Sequence, residues 1–404
     1  MTGGSTVAMR RVDTVAREPS AASVVHYRDP VTGIDGYLAI DGDTNPLAAG
    51  GFRVQRGLTA QTTLRLAQAM THKQRLLGLS VDGAKCGLDL DPRDPGKSDA
   101  MRRFLRFLRP YLLDRYSMGP DMGTGWAELE DVARAEGMVS VKCAVAKAQG
   151  LSESEFLRRS ALLDVELGGA TLGQRRAGHG LAHAALTAAG WACPAGDAPL
   201  RVGIQGFGTL GRAAALGLVE AGLSVTAIAD EHGCLQADGG LAPEALRGAP
   251  PGTLPRLTAA SGARACPPHA LLDCAVDLLI LAACEDAMSA EQASRLPESV
   301  RAVVVGANLG LSAEVEQLLH RRGVLVVPDV VGGCGGSASM DALFGPVACP
   351  TATQVLDRTA GSMRRLVHRL LDLSTRYDLT LRQAGLRLCA EHRPIAARPY
   401  GSQA

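Results

Sequence analysis

Val202-Gly203-Ile204-Gln205-Gly206-Phe207-Gly208-Thr209-Leu210-Gly211 is the stretch that decides the fold. Four residues of strand character run into a Gly-x-Gly-x-x-Gly turn, and Arg212–Ala221 continues as a helical pattern. Ser224–Ala229 reads as the next strand and ends at Asp230, twenty-four residues past Gly206. A glycine triplet alone is weak. With a strand before it, a helix after it and an acid at that distance, it reads as a dinucleotide-binding turn. Residues Gly206, Phe207, Gly208, Thr209, Leu210 and Gly211 let a pyrophosphate reach the helix N-terminus, where unpaired N–H groups favour anions. Asp230 would accept hydrogen bonds from the adenine ribose and repel a 2′-phosphate, so the expected cofactor is NAD.

Downstream, buried strands recur at helix-spaced intervals: Leu278–Leu281, Ala302–Val305 and Val324–Val327. They imply a doubly wound parallel sheet whose strand ends, Ala282 and Asn308 among them, face the ligand cleft. Upstream, Val24–Tyr27 and Gly36–Ile40 suggest an antiparallel pair, and Thr59–Leu77 a helix. A basic amphipathic helix over 101–115 is expected to end near Pro110. Val139–Lys142 suggests a small strand, Gly168–Gly173 a loop and Ala177–Ala189 a helix. Thr351–Leu373 and Leu379–Cys389 have helical amphipathic patterns. The expected architecture is two-domain α/β. Residues 1–23 form a tail, 24–175 a substrate and oligomerisation domain, 176–345 the Rossmann-like dinucleotide domain, and 346–404 helices packing back on the first domain.

At 404 residues the chain can build two cores. A formal charge of +1 gives no field favouring nucleic acid or membrane. The longest apolar run, Val276–Cys284 broken by Asp277, is too short to span a bilayer. Ten cysteines include no C-x-x-C and no zinc-ligand spacing, so a reduced cytoplasmic protein without a metal is expected. His179 and His183 are one helical turn apart, but no third ligand is in view, and they read as ordinary helix histidines.

The chemistry-bearing residues lie in the first half. Met70-Thr71-His72-Lys73 closes a helical pattern, and Lys85 follows twelve residues later in Asp82-Gly83-Ala84-Lys85-Cys86-Gly87, expected to be a glycine-rich turn. Two ammonium groups held close repel protons, and burial adds to this, so one becomes an amine and a general base near neutral pH. Asp121 stands thirty-six residues further on, in Gly119-Pro120-Asp121-Met122-Gly123-Thr124. Singly, each lysine would be a solvated surface residue and the aspartate a turn former. Together they suit an amino-acid site: a cation for the α-carboxylate, a base and a proton relay.

Leu79–Pro92 resembles the active-site signature of the glutamate/leucine/phenylalanine/valine dehydrogenase family, and Pro120–Thr124 its catalytic aspartate turn. Further similar segments run in order over roughly residues 24–345. The resemblance implies that Lys73 binds the substrate α-carboxylate with the Gly50-Gly51 backbone, that Lys85 activates water as the imine breaks down, and that Asp121 relays protons. It implies oxidation of an amino acid to a 2-oxo acid and ammonia, or the reverse, in a homo-oligomer. Glutamate-specific members carry a lysine before the Gly-Gly pair and a serine after the later glycine-rich loop, where this chain has Ala49 and Met340. A substrate carboxylate left unpaired there costs on the order of several kcal/mol to bury. Gly119 also removes a side chain from the pocket wall, so an apolar or aromatic substrate is expected. The alternatives are a glutamate dehydrogenase, or a member with lost or altered catalysis acting as a binding or assembly protein. A Rossmann enzyme of unrelated chemistry would leave Lys73, Lys85 and Asp121 unexplained.

Three positions depart from the family pattern. Ala177 replaces a threonine that meets the nicotinamide, and Gly333 replaces an asparagine of the cleft. Asp82 replaces a glycine three residues from Lys85. If the Asp82 carboxylate reaches that amine it raises the lysine's pKa; otherwise it faces solvent and shapes the turn.

Overall fold

The structure, a computed structural model, describes residues 22–193, 199–254, 263–393 and 398–401. Residues 1–21 of the expected tail lie outside these, and Ala22 and Ser23 already belong to a strand. The chain forms two compact units. One holds the described residues up to Phe156 together with those from Arg393 onward; the other is Leu157–His392.

The first unit is built on five strands: β1 (Ala22–Arg28), β2 (Asp35–Asp41), β3 (Ala48–Val54), β4 (Asp82–Leu88) and β5 (Tyr116–Pro120). Their order is β1-β2-β4-β3-β5, with β3 parallel to both neighbours and the other pairings antiparallel. Alternation along β3 and β4 sorts two chemistries onto two faces. Phe52, Val54, Ala84, Cys86 and Leu88 enter a core closed by Phe104, Leu105, Leu108 and Leu112 of the helix Lys97–Asp114. The helix Ala60–Leu76, capped by the Thr59 hydroxyl, lies against the opposite face, which carries Gly83 and Lys85. A Cβ on Gly83 would fall 2.1 Å from the Ala67 carbonyl oxygen. Covered on both sides, β4 is buried at all seven positions. Lys85 therefore sits in a buried strand, not in the expected turn, and Gly83 is there because helix and strand backbones touch.

Two further expectations give way in this unit. The helix Lys97–Asp114 runs through Pro110, since fully buried Leu112 lies beyond it. Val139–Lys142 forms no strand. The Ser140 hydroxyl and the Val141 N–H both donate to Glu130 Oε1, at 2.9 and 3.2 Å, which holds the segment as a loop.

The second unit carries β6 (Arg201–Gln205), β7 (Ser224–Ala229), β8 (Cys234–Gln236), β9 (Arg264–Cys266), β10 (Leu278–Leu281), β11 (Ala302–Val305) and β12 (Leu325–Val327). The sheet order is β12-β11-β10-β6-β7-β8-β9, parallel from β12 to β7, with β8 and β9 added antiparallel at one edge. Strand order reverses between β6 and β10, the place where such sheets hold ligands. The helix before β6 spans Leu172–Ala192 and so begins inside the expected loop. Thr171 and Gln174 cap it reciprocally, each side chain bonding the other's N–H.

The division of the chain also differs from the expectation. The first unit ends at Phe156 and not at 175, because the Arg159 guanidinium donates to the carbonyls of Leu343, Gly345 and Val347 within the second. Helices Ala352–Tyr377 and Leu381–Glu391 belong to the second unit as well. Val355, Thr359, Met363, Val367 and Leu370 make a buried stripe on the first of these, which packs on the helices Leu172–Ala192 and Gly335–Phe344. Only the segment from Arg393 returns to the first unit, where the Tyr400 N–H donates to Gln149 Oε1 at 2.9 Å. Among the described residues no helix is long and apolar enough to cross a membrane.

Candidate active site

Three elements of the first unit converge on one carboxylate. Lys85 of β4 places Nζ 2.7 Å from Asp121 Oδ2, and Arg53 of β3 donates from Nε to the same oxygen at 2.7 Å. Arg53 and Lys85 are almost fully enclosed, at 1% and 3% exposed. Asp121 follows the end of β5. Its N–H donates to Thr124 Oγ1, and the Thr124 hydroxyl donates to the Phe52 carbonyl, which fixes the turn against β3. Lys73, from the last turn of the helix Ala60–Leu76, is buried nearby. Gly51 leaves the necessary space: a Cβ there would lie 2.9 Å from Asp121 Cβ and 3.3 Å from Lys85 Nζ.

Burial is the largest influence pushing Lys85 below the ordinary lysine pKa, and the charges of Arg53 and Lys73 act in the same direction against the pull of Asp121. Burial would push Asp121 up, but the Lys85 and Arg53 cations outweigh it and hold the carboxyl well below its usual range. The group is thus a carboxylate held ionised between two cations, one of which, Lys85, holds its proton less firmly than an ordinary lysine.

Asp82 does neither of the things expected of it. It lies on the opposite face of β4 from Lys85 and is buried. Arg115 Nη2 and Asn45 Nδ2 each donate to it at 2.7 Å, and the Asn45 N–H at 3.2 Å. It latches the β2–β3 connection to the start of β5.

Sequence reading missed two side chains. Arg53 follows Gly51 by two positions, so the period of β3 places both on one face. Lys142 gave no such sign. Its Nζ donates to the Met118 carbonyl at 2.8 Å, stands 5.5 Å from the Trp126 ring centre, and lies 3.8 Å from where a Gly119 Cβ would be. Gly119 pairs with Gly51 across the β3–β5 ladder, so a third buried lysine borders the same face. Ala49, also on β3, is buried beside Gly50.

In the second unit the glycine turn has the form a pyrophosphate requires. Gly206 has φ +90°, and a Cβ on it would sit 2.8 Å from Ala282 backbone atoms at the end of β10. A Cβ on Gly211 would sit 1.9 Å from the Gly206 carbonyl oxygen. Gly208 precedes the twelve-residue helix Thr209–Glu220 and has nothing within 4 Å of its Cβ position, so its outer side is open to an anion. Asp230 uses Oδ1 to accept the His232 and Gly233 N–H groups, at 2.8 and 3.0 Å, which presents the carboxylate at the end of β7. Asn308 stands past the end of β11. Met340 is buried on the helix Gly335–Phe344. Cys334 is a fully buried filler whose thiol bonds the Val330 carbonyl. The His179 and His183 rings lie 4.6 Å apart, and burial, His183 and nearby arginines push His179 down to about 4, so it is neutral at physiological pH.

Family sequence models match both halves. "Glu/Leu/Phe/Val dehydrogenase, dimerisation domain" matches residues 22–137, and "Glutamate/Leucine/Phenylalanine/Valine dehydrogenase" matches residues 168–392. The chain belongs to this family. It is an amino acid dehydrogenase that works with a nicotinamide cofactor. Similar proteins include glutamate dehydrogenase B of Halobacterium salinarum, 30% identical over 314 residues that cover 76% of this chain and 68% of the relative. NADP-specific glutamate dehydrogenase A1 of Halobacterium salinarum is 28% identical over 321 residues, covering 73% and 68%. Among solved structures, the hetero-hexameric glutamate dehydrogenase of Thermus thermophilus in its leucine-bound form aligns with a TM-score of 0.70 at 26% identity, over 93% of this chain and 88% of that one.

Proposed function

We propose that this dehydrogenase oxidises an apolar or aromatic L-amino acid with NAD, giving the 2-oxo acid and ammonia, or runs the reverse amination. The observation that carries the catalytic part is the buried Lys85–Asp121–Arg53 group beside Lys73. Lys73 binds the α-carboxylate, aided by the Gly50-Gly51 backbone. Asp121, held ionised by its two cations, exchanges protons with the substrate amino group. Lys85, its ammonium destabilised by burial, takes the proton from the water that adds to the imine carbon. Bound NAD would supply the hydride acceptor, held by the Gly206–Gly211 turn with Asp230 on the ribose. The choice of NAD rests on that carboxylate, since a 2′-phosphate would meet it as a like charge. The ten cysteines are all free thiols, which suits a reducing cytoplasmic setting. The dimerisation-domain match supports a homo-oligomer.

Buried Ala49 and the missing side chain of Gly119 favour an apolar side chain. One observation favours a second reading. The Lys142 ammonium against the Gly119 position would read an acidic side chain, which fits the glutamate dehydrogenases among the similar proteins. Initial rates of nicotinamide reduction over a panel of the amino acids decide between the two. Turnover of leucine, phenylalanine or tryptophan with glutamate inert supports the first reading, and glutamate alone supports the second.

A further inference from the structure

Three cysteines gather at the edge of the dinucleotide sheet, away from the glycine turn. Cys234 opens β8 and pairs with Cys266 of β9 across the antiparallel ladder. Cys274, just after the 3-10 turn Pro268–Asp273, lies beside Cys234 and donates its S–H to the Ala270 carbonyl at 3.2 Å. Gln236 Nε2 contacts both of these sulfurs, at 2.9 Å from Cys274 and 3.9 Å from Cys234. Arg264 fixes that amide by donating twice to Gln236 Oε1, at 3.1 and 2.9 Å. Cys234 is 1% exposed and Cys274 half-buried, so one sulfur of the pair reaches solvent. Among the described residues no group of three or more His, Cys, Asp or Glu side chains suits a metal ion.

We propose that Cys234 and Cys274 close to a reversible disulfide by exchange with a small-molecule disulfide, and that closure changes cofactor affinity. Cys274 is the accessible sulfur, and once its proton passes to solvent the Gln236 amide N–H, 2.9 Å away, stabilises the thiolate. This thiolate attacks the external disulfide, forming a mixed disulfide and releasing one small thiolate. Cys234 then gives up its proton and attacks the Cys274 sulfur, expelling the second. Two protein thiols are oxidised, and one external disulfide is reduced to two thiols. The bond would pin β8, which starts immediately after the turn holding Asp230; this coupling rests on the dinucleotide reading.

The test is incubation of the full-length protein with oxidised glutathione, alkylation of remaining thiols, digestion and mass spectrometry. The expected product links Cys234 to Cys274, reverts with dithiothreitol, persists in Cys266→Ser and is absent in Cys274→Ser, a variant chosen because that residue is half-exposed and its loss is tolerable to the fold. A glutathione adduct alone, a bond between other cysteines, or no product overturns the pairing. NAD affinity of the reduced protein tests the dinucleotide reading by itself. A severalfold change in Kd on closure is expected, and an unchanged Kd in a mapped, closed sample overturns the coupling.

Discussion

Replacing Arg53 by methionine tests the electrostatics of the site. Arg53 Nε and Lys85 Nζ each lie 2.7 Å from Asp121 Oδ2, so the two cations are at most about 5.4 Å apart. At an effective dielectric constant of about 20, two like charges at that distance repel by about 3 kcal/mol, equivalent to about two pH units. The substitution removes that repulsion and leaves the Asp121 carboxylate to Lys85 alone. Both changes stabilise the ammonium, so the lysine's pKa rises. The base form is the one above its pKa, so the rising limb of kcat/KM against pH should move to higher pH by about one to two units. Near pH 7 the variant should lose roughly ten- to a hundredfold in kcat/KM and recover part of it in alkali. Methionine keeps much of the volume, and Asp121 keeps Lys85 as partner, so NAD binding by the other unit should persist and report that the protein is folded. A profile superimposable on that of the parent, or one moved to lower pH, would refute the reasoning, and Lys85 would not be the titrating base.

Asp82→Gly removes a buried carboxylate bonded to Arg115 and Asn45. It should lower stability by about 2 kcal/mol in urea unfolding and leave the pH profile in place, since Asp82 lies on the other face of β4. Asp230→Ala should narrow the preference for NAD over NADP in direct binding, and equal affinity in the parent would remove its role. Lys142→Met should change KM for an acidic substrate far more than for leucine if the second substrate reading holds; equal effects on both would make it structural. Phe104→Ala empties the core under β3 and β4 and should cost about 3–5 kcal/mol in urea unfolding, with NAD affinity unchanged.

How much of this was legible in the sequence depended on whether a residue's partners were local. The strands at 224–229, 278–281 and 302–305 stand where their apolar runs placed them, because a strand buried on both faces leaves a continuous signal. The antiparallel strands β8 and β9 are three residues each and leave none. The helix Leu172–Ala192 begins earlier than its sequence pattern implies, because glycines at 168, 169 and 173 suggest a loop, whereas the Thr171–Gln174 cap starts the helix among them.

Lys85 shows why spacing alone misassigned its setting. Two glycines and two charges within six residues match the composition of a turn, and nothing local argues otherwise. The reason for the glycines is remote: the Ala67 carbonyl beside Gly83 and the Arg53 carbonyl beside Gly87, where Cβ atoms would fall at 2.1 and 2.5 Å. A strand pressed that closely by a helix and a neighbouring strand excludes water from its one lysine. The same glycines that disguised the strand therefore create the desolvation that lowers the Lys85 pKa. Asp82 follows the same logic in reverse. Three residues in a turn would have brought its charge towards Lys85, whereas three residues in a strand carry it to the other face and onto Arg115. Correcting one element from turn to strand thus moves one carboxylate out of the mechanism and leaves Asp121 as the carboxylate that Lys85 meets.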